Sequence, residues 1–147
     1  MSPAQKLIQA QKLCESRGVR FTLAREQVFN LLAKTDRAIG AYDLLQQLQL
    51  LDPKAKPPTI YRALEFLMTQ GFVHKVESDN AFVMCNHFSE QHPAQLLICD
   101  ECGDIKEIDS SQIEAKIDEV AASLGFVVKH PTIELHGCCK NCAKETD

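Results

Sequence analysis

The sequence predicts an α+β fold in two parts: a set of helices closed by a β-hairpin, then a small α/β domain held together by metal. Three observations carry this. Apolar residues recur at helical spacing through the first 71 positions and then give way to two short strand-like runs. Two Cys-x-x-Cys pairs, Cys99/Cys102 and Cys139/Cys142, frame the second half. Between Phe72 and Glu107 lie three of the five histidines and three of the seven cysteines.

The first helix carries Leu7, Ile8, Ala10, Leu13 and Cys14 and ends at Gly18. Cys14 lies on that apolar stripe and is expected to be a buried small residue. Thr22 is the N-cap expected for a second helix, with Leu23, Val28, Leu31 and Leu32 facing inward. A third covers about residues 41–51, with Leu44, Leu45, Leu48 and Leu51 inward, and stops at Asp52-Pro53. Pro57-Pro58 permit a fourth helix to start but not to extend backwards. Its apolar face is Ile60, Ala63, Leu64, Leu67 and Met68, and Gly71 closes it.

Tyr61 and Arg62 fall away from that face, near the helix N-terminus, which is the end a recognition helix presents to base edges. An arginine there makes a bidentate pair with guanine, and a tyrosine offers a hydroxyl to phosphate. Directly afterwards come Phe72–Glu77, a turn at Ser78-Asp79-Asn80, and Ala81–Cys85. The runs read as a hairpin that places His74 opposite about Met84, beside Cys85. Helices followed by such a hairpin make a winged helix-turn-helix. Charge is consistent with this reading. Residues 1–84 hold 11 Lys and Arg against 8 Asp and Glu, while residues 85–147 hold 5 against 12. A DNA-binding surface needs local, not overall, positive charge.

In the second half, residues 86–93 read as a hinge. Strands are expected over Ala94–Cys99 and 103–108, and a helix behind a capping box at Ser111-x-x-Glu114, with Ile113, Ile117, Val120, Ala121 and Leu124 on one face. Phe126–Val128 and Thr132–Leu135 supply a last strand region. The domains are therefore 1–85, DNA-binding, and 94–147, dimerisation and metal binding. A region of that size has little core of its own and relies on metal and on a second copy.

Seven cysteines in a chain with neither an apolar run of about 18 residues nor a signal-peptide core point to the cytoplasm, and there to metal or redox chemistry. Two Cys-x-x-Cys pairs supply four thiolates to one tetrahedral zinc, a closed site that builds structure rather than catalysing. Cys138, the seventh cysteine, is expected as a buried thiol beside it. Near the hinge remain His74, Cys85, His87, His92 and Glu107, a set containing a thiolate and so suited to a second zinc. No Ser/His/Asp set or Gly-rich phosphate loop occurs, and no βαβ unit is expected around Cys99-x-x-Cys102 to make it a redox pair. An enzyme is not expected, nor a small-molecule substrate or a membrane partner.

Thr59-Ile-Tyr-Arg-Ala-Leu-Glu-Phe-Leu67, Gly71-Phe-Val73, Ile98-Cys-Asp-Glu-Cys-Gly103 and Glu134-Leu-His-Gly-Cys138 together resemble the ferric uptake regulator family, over essentially the whole chain. Ala41-Tyr-Asp-Leu-Leu45, Lys54-Ala-Lys-Pro-Pro-Thr59 and Gly71–Ser78 are similar to its zinc-responsive members. The resemblance implies a dimeric, metal-activated repressor binding double-stranded operator DNA, with two zinc ions per protomer. It carries the structural ligands onto Cys99, Cys102, Cys139 and Cys142, and the regulatory ligands onto His74, Cys85, His92 and Glu107. It carries the base-contacting pair onto Tyr42 and Arg62; Thr59 and Tyr61 complete the DNA-facing set. Two departures stand out. Asn86–His92 replaces the family's His-His-Asp-His run, which puts a further sensory site at His130 in doubt. The interval from Cys85 to His92 is one residue short, which leaves His87 as an alternative to His92. Iron, manganese or peroxide sensing on the same fold is the competing reading.

Overall fold

Four helices and a three-stranded sheet make up the first of the two units into which the chain divides, Met1–Gln91 and His92–Asp147. The computed structural model describes residues 1–87 and 93–146. Helix α1 (Pro3–Arg17) starts on a reciprocal cap: Gln5 N–H donates to Ser2 Oγ at 3.2 Å and Ser2 N–H to Gln5 Oε1 at 2.8 Å. It ends at Gly18, whose φ of 68° is the left-handed cap that L side chains resist. Helix α2 (Leu23–Ala33) starts on Thr22, whose hydroxyl accepts from Arg25 N–H. Strand β1 (Ile39–Gly40) leads into α3 (Ala41–Leu51), and α4 (Pro57–Thr69) begins on its two prolines.

The core of this unit is Val28, Phe29, Leu32, Leu44, Leu48, Ile60, Leu64, Leu67 and Phe72, all essentially inaccessible to solvent. Phe72 stacks edge-on against Phe29 at 5.9 Å and tilts against Phe21 at 6.3 Å, with the Arg17 guanidinium 5.7 Å over its ring. It is also the residue at which the chain leaves α4 for the sheet. Phe72→Ala is expected to lower the unfolding free energy of this unit by about 3–5 kcal/mol, read as the shift of its urea midpoint at unchanged slope.

Two inward assignments are corrected. Leu23 is 70% exposed and Leu51 57% exposed. They are the first and last residues of their helices, beyond the turns that neighbouring helices cover. Phe29, which periodicity did not single out, holds the centre instead.

The sheet of this unit has the order β1-β3-β2, with β2 at Val73–Val76 and β3 at Ala81–Met84. The register pairs Val73 with Met84 and His74 with Val83, one residue from the expected pairing. The connection takes four residues, 77–80, and Asn80 adopts a left-handed φ of 48°. β1 adds a short third strand against β3 that the sequence pattern did not reveal.

In the second unit, β4 (Ala94–Cys99) pairs antiparallel with β5 (Ile105–Glu107) and parallel with β6 (Thr132–Gly137). Helix α5 (Ser111–Ser123) lies in the crossover between β5 and β6. Its N-cap is Ser110, not Ser111. The buried Gln95 fixes that start: its side chain donates to Ser110 O and accepts from Ser110 N–H, both at 3.2 Å. The parallel β4/β6 pair with α5 between its strands corrects the expectation that no such unit surrounds Cys99 and Cys102. The pair of cysteines nevertheless occupies the turn from β4 to β5, not a helix N-terminus where thiols are activated. Residues 126–128 form no strand, and a short helix α6 (Lys140–Thr146), not expected, follows β6.

No residue of α5 is buried. Ile113, Ile117, Val120 and Leu124 are 38, 39, 52 and 79% exposed, and Phe126 beyond them 66%. An amphipathic helix with a bare apolar face is one whose partner lies outside its own unit.

Candidate metal centres and nucleic-acid interface

Cys99 ends β4, and the turn after it closes with Gly103 N–H on Cys99 O and Cys99 N–H on Asp104 O, both at 2.9 Å. Gly103 takes a φ of 77°, which lets the chain reverse tightly enough to aim Cys99 and Cys102 the same way. On the other side, Cys139 caps the start of α6, its carbonyl accepting from Ala143 N–H at 2.8 Å, so Cys142 follows within the first turn. Asp100 N–H donates to Gly137 O at 2.9 Å and extends the β4/β6 pairing into the turn. His136 adds a second strap, its Nδ1 3.1 Å from an Asp100 carboxylate oxygen and its Nε2 3.6 Å from Glu134. That hydrogen bond to Asp100 raises the His136 pKa above the usual imidazole value. The strap joins residues 36 apart in sequence, so no local pattern announced it.

The result is four sulfurs, of Cys99, Cys102, Cys139 and Cys142, all within 4.8 Å of one another, with Cys102 and Cys139 3.8 Å apart. A tetrahedral zinc with Zn–S bonds of about 2.3 Å has sulfur–sulfur edges of about 3.8 Å, so the cluster fits the ion. Its electrostatics fit as well. The N–H groups of Cys102 and Cys139 hold the Cys99 thiol down to about 6; the latter reaches its sulfur at 3.3 Å. The Cys142 thiol is pushed far up, first by its hydrogen bond with the Cys139 sulfur and then by burial. For Cys102 the N–H of Asp104 lowers the pKa, but contact with the Cys99 sulfur and burial raise it on balance. The Cys99 thiolate forms readily; those of Cys102 and Cys142 form only when a cation balances them.

Cys14 is buried in the helical core of the first unit, as its position on the α1 stripe implies. Cys138, expected to be buried, is exposed. It follows the last residue of β6.

On the wing, His74 of β2 is 8% exposed and Cys85, just past β3, is fully buried. Cys85 N–H donates to Phe72 O at 2.9 Å, which anchors it at the root of the hairpin. The His74 and Cys85 ligand atoms lie within 4.8 Å of each other despite the shifted register. His87 is exposed, and its N–H donates to Cys85 Sγ at 3.3 Å. Glu107 ends β5 in the second unit, half-buried opposite Leu96. His92 lies outside the described residues.

On the helices, Tyr42 in the first turn of α3 is 72% exposed, Tyr61 of α4 is 57% exposed and Arg62 beside it is also exposed. Thr59 is half-buried, its hydroxyl accepting from Lys56 N–H at 3.3 Å and so capping α4. Opposite them on α4, Ile60, Ala63 and Leu64 are locked into the core. The exposed face is therefore held by a rigid one, a requirement for reading base edges.

Residues 16–136 match the sequence profile of the Ferric uptake regulator family. The zinc uptake regulation protein of Escherichia coli (strain K12) is 48% identical over 139 residues, 94% of this chain and 81% of that protein. The protein of the same name from Mycobacterium tuberculosis is 31% identical over 125 residues, 85% of this chain and 95% of its own. A solved structure, a zinc uptake regulator complexed with zinc and DNA, superposes with a TM-score of 0.94 at 45% identity, covering 99% of this chain and 98% of that one.

Proposed function

The chain belongs to the ferric uptake regulator family, and on that premise we propose that it is a zinc-responsive transcriptional repressor. It binds operator DNA as a zinc-loaded homodimer and controls genes of zinc uptake and homeostasis. The observation that carries the choice of metal is the Cys85 thiol held beside His74 in the wing. Thiolate with imidazole suits zinc, whereas iron(II) and manganese(II) sensing is better served by nitrogen and oxygen alone. The likeness to zinc uptake regulators, one of them solved with zinc and DNA, supports the same choice.

Two zinc ions per protomer are assigned. One is held by Cys99, Cys102, Cys139 and Cys142 and supplies architecture. The other is held by His74, Cys85, His92 and Glu107 and is regulatory. His74 and Cys85 of the hairpin, with His92 and Glu107, would hold the regulatory ion, and its binding would favour the state of the chain in which that ligand set is complete. The bare face of α5 is assigned to a second copy of the chain, which gives two α4 helices for a palindromic operator. The chain acts in the cytoplasm, where the operator is. Among the described residues no helix is long and apolar enough to cross a membrane.

The test is binding of the reduced full-length protein to DNA selected from a random-sequence pool, measured by anisotropy against buffered free zinc, iron(II) and manganese(II). Zinc is expected to drive binding at the lowest free concentration. Activation by iron or manganese at lower free concentration than zinc overturns the reading. On the selected DNA, Arg62→Ala is expected to weaken specific binding by about 5–150-fold, the roughly 1–3 kcal/mol of one bidentate base contact. Its zinc content is expected to stay at the wild-type value.

A further inference from the structure

Two polar side chains are buried among the described residues, His74 and Gln95. The first is assigned to the regulatory set; the second belongs to neither metal cluster. Gln95 lies on β4 and is 3% exposed. Burying an amide costs free energy unless its nitrogen and oxygen are both bonded. Gln95 bonds both to the main chain of one residue: its Nε2 donates to Ser110 O and its Oε1 accepts from Ser110 N–H, each at 3.2 Å. Its own carbonyl accepts from Ile108 N–H at 2.9 Å. One residue thus pins positions 108–110, the stretch that begins directly after Glu107.

Glu107 needs such support. It is the last residue of β5, a three-residue strand at the edge of the order β5-β4-β6, and its register partner is Leu96, next to Gln95. The end of a short edge strand frays unless the chain beyond it is held. A carboxylate binds a metal ion best when its orientation is fixed before the ion arrives. We propose that Gln95 is a positioning residue for the regulatory metal, fixing the backbone that aims Glu107 and acting through that ligand rather than on the ion. This rests on Glu107 being a regulatory ligand, as proposed above. Ser110 separates the role from general support of α5. Its hydroxyl caps the helix by accepting from Ile113 N–H at 3.3 Å, whereas Gln95 bonds its main chain. Ser110→Ala therefore weakens the helix start and leaves the clamp whole.

The test uses reduced full-length protein with its structural zinc in place and cobalt(II) as the probe. Charge transfer from the Cys85 thiolate to cobalt reports occupancy of the regulatory set, and competition with a chelator gives the affinity. Gln95→Met keeps the volume and removes the side-chain bonds. It is expected to weaken cobalt binding about tenfold or more, with structural zinc content unchanged. In Glu107→Ala protein, adding Gln95→Met is expected to cost nothing further, since the group it positions is gone. Ser110→Ala is expected to bind cobalt as the wild type does. If Gln95→Met loses structural zinc, Gln95→Glu, which keeps the bond from Ser110 N–H, carries the same cycle. The proposal is overturned if the Gln95 variant binds cobalt like the wild type, if it weakens binding by the same factor in both backgrounds, or if Ser110→Ala weakens it as much. Wild-type cobalt affinity in Glu107→Ala protein is a separate failure: it removes Glu107 from the regulatory set, and this inference falls with it.

Discussion

Cys102→Ser protein is expected to emerge one zinc per protomer short, monomeric, and with a second unit open to protease. The magnitude follows from how little else holds that unit. Among the described residues its buried ones are Gln95, Leu96, Ile98, Cys99 and Ile105, a core far too small to offset chain entropy over some 50 residues. Structural zinc supplies an apparent 10–16 kcal/mol, roughly, in small zinc-dependent folds. Losing one of four thiolates forfeits much of that. Cys102 is the informative ligand because its sulfur lies 3.8 Å from that of Cys139, joining the two cysteine pairs directly. Zinc analysis with sedimentation velocity reads both losses together. A Cys102→Ser protein that remained a dimer with full zinc would remove the architectural role from this cluster.

Glu107→Ala is expected to separate the two metals proposed above. The substitution leaves the four thiols untouched, so one zinc per protomer and the dimer are expected to persist. Zinc-dependent operator binding is expected to collapse to the metal-free level. Coupling between two sites is typically about 1–3 kcal/mol, so the lost zinc response corresponds to about 5–150-fold in DNA affinity. The coupling is reciprocal: in wild-type protein, operator DNA must tighten the regulatory zinc by the same factor, and in Glu107→Ala it must not. Cys85→Ser is expected to behave alike and also to blunt the preference for zinc, since it removes the one soft ligand of the set. Anisotropy and competition against a zinc chelator, with and without DNA, measure both arms. A Glu107→Ala protein with full zinc-dependent binding would take Glu107 out of the regulatory set.

What the residues disclosed in advance was what depends on short spacings. Ile60, Ala63, Leu64 and Leu67 mark one face of α4 because a helix repeats every 3.6 residues, and the prolines mark its start. Cys-x-x-Cys pairs announce a metal because a tight turn brings both sulfurs to one point. What stayed hidden depends on partners distant in sequence. β1 is two residues long and exists only because β3 offers it an edge. The one-residue shift at His74 comes from a left-handed Asn80, a choice between turn types that Ser78-Asp79-Asn80 does not decide. Leu23 and Leu51 are apolar and in phase, but they sit at helix ends where nothing covers them. The sequence places the Cys138 thiol in the interior beside the zinc ligands, but β6 ends one residue earlier and the thiol is exposed.

The parallel pairing of β4 with β6 has a kinetic side. Every residue pair in that ladder is 38 positions apart, from Ala94 with Thr132 to Cys99 with Gly137. The helical unit, by contrast, is rich in neighbours close in sequence. Contacts between remote positions form slowly, since a long loop must close before any of them stabilises the chain. Refolding from denaturant is thus expected to run at two speeds, with α4 in place before the two cysteine pairs meet. Zinc bound by the two cysteine pairs would then act as the clasp on a 36-residue loop, and refolding of the second unit is expected to be faster with the metal present than without it.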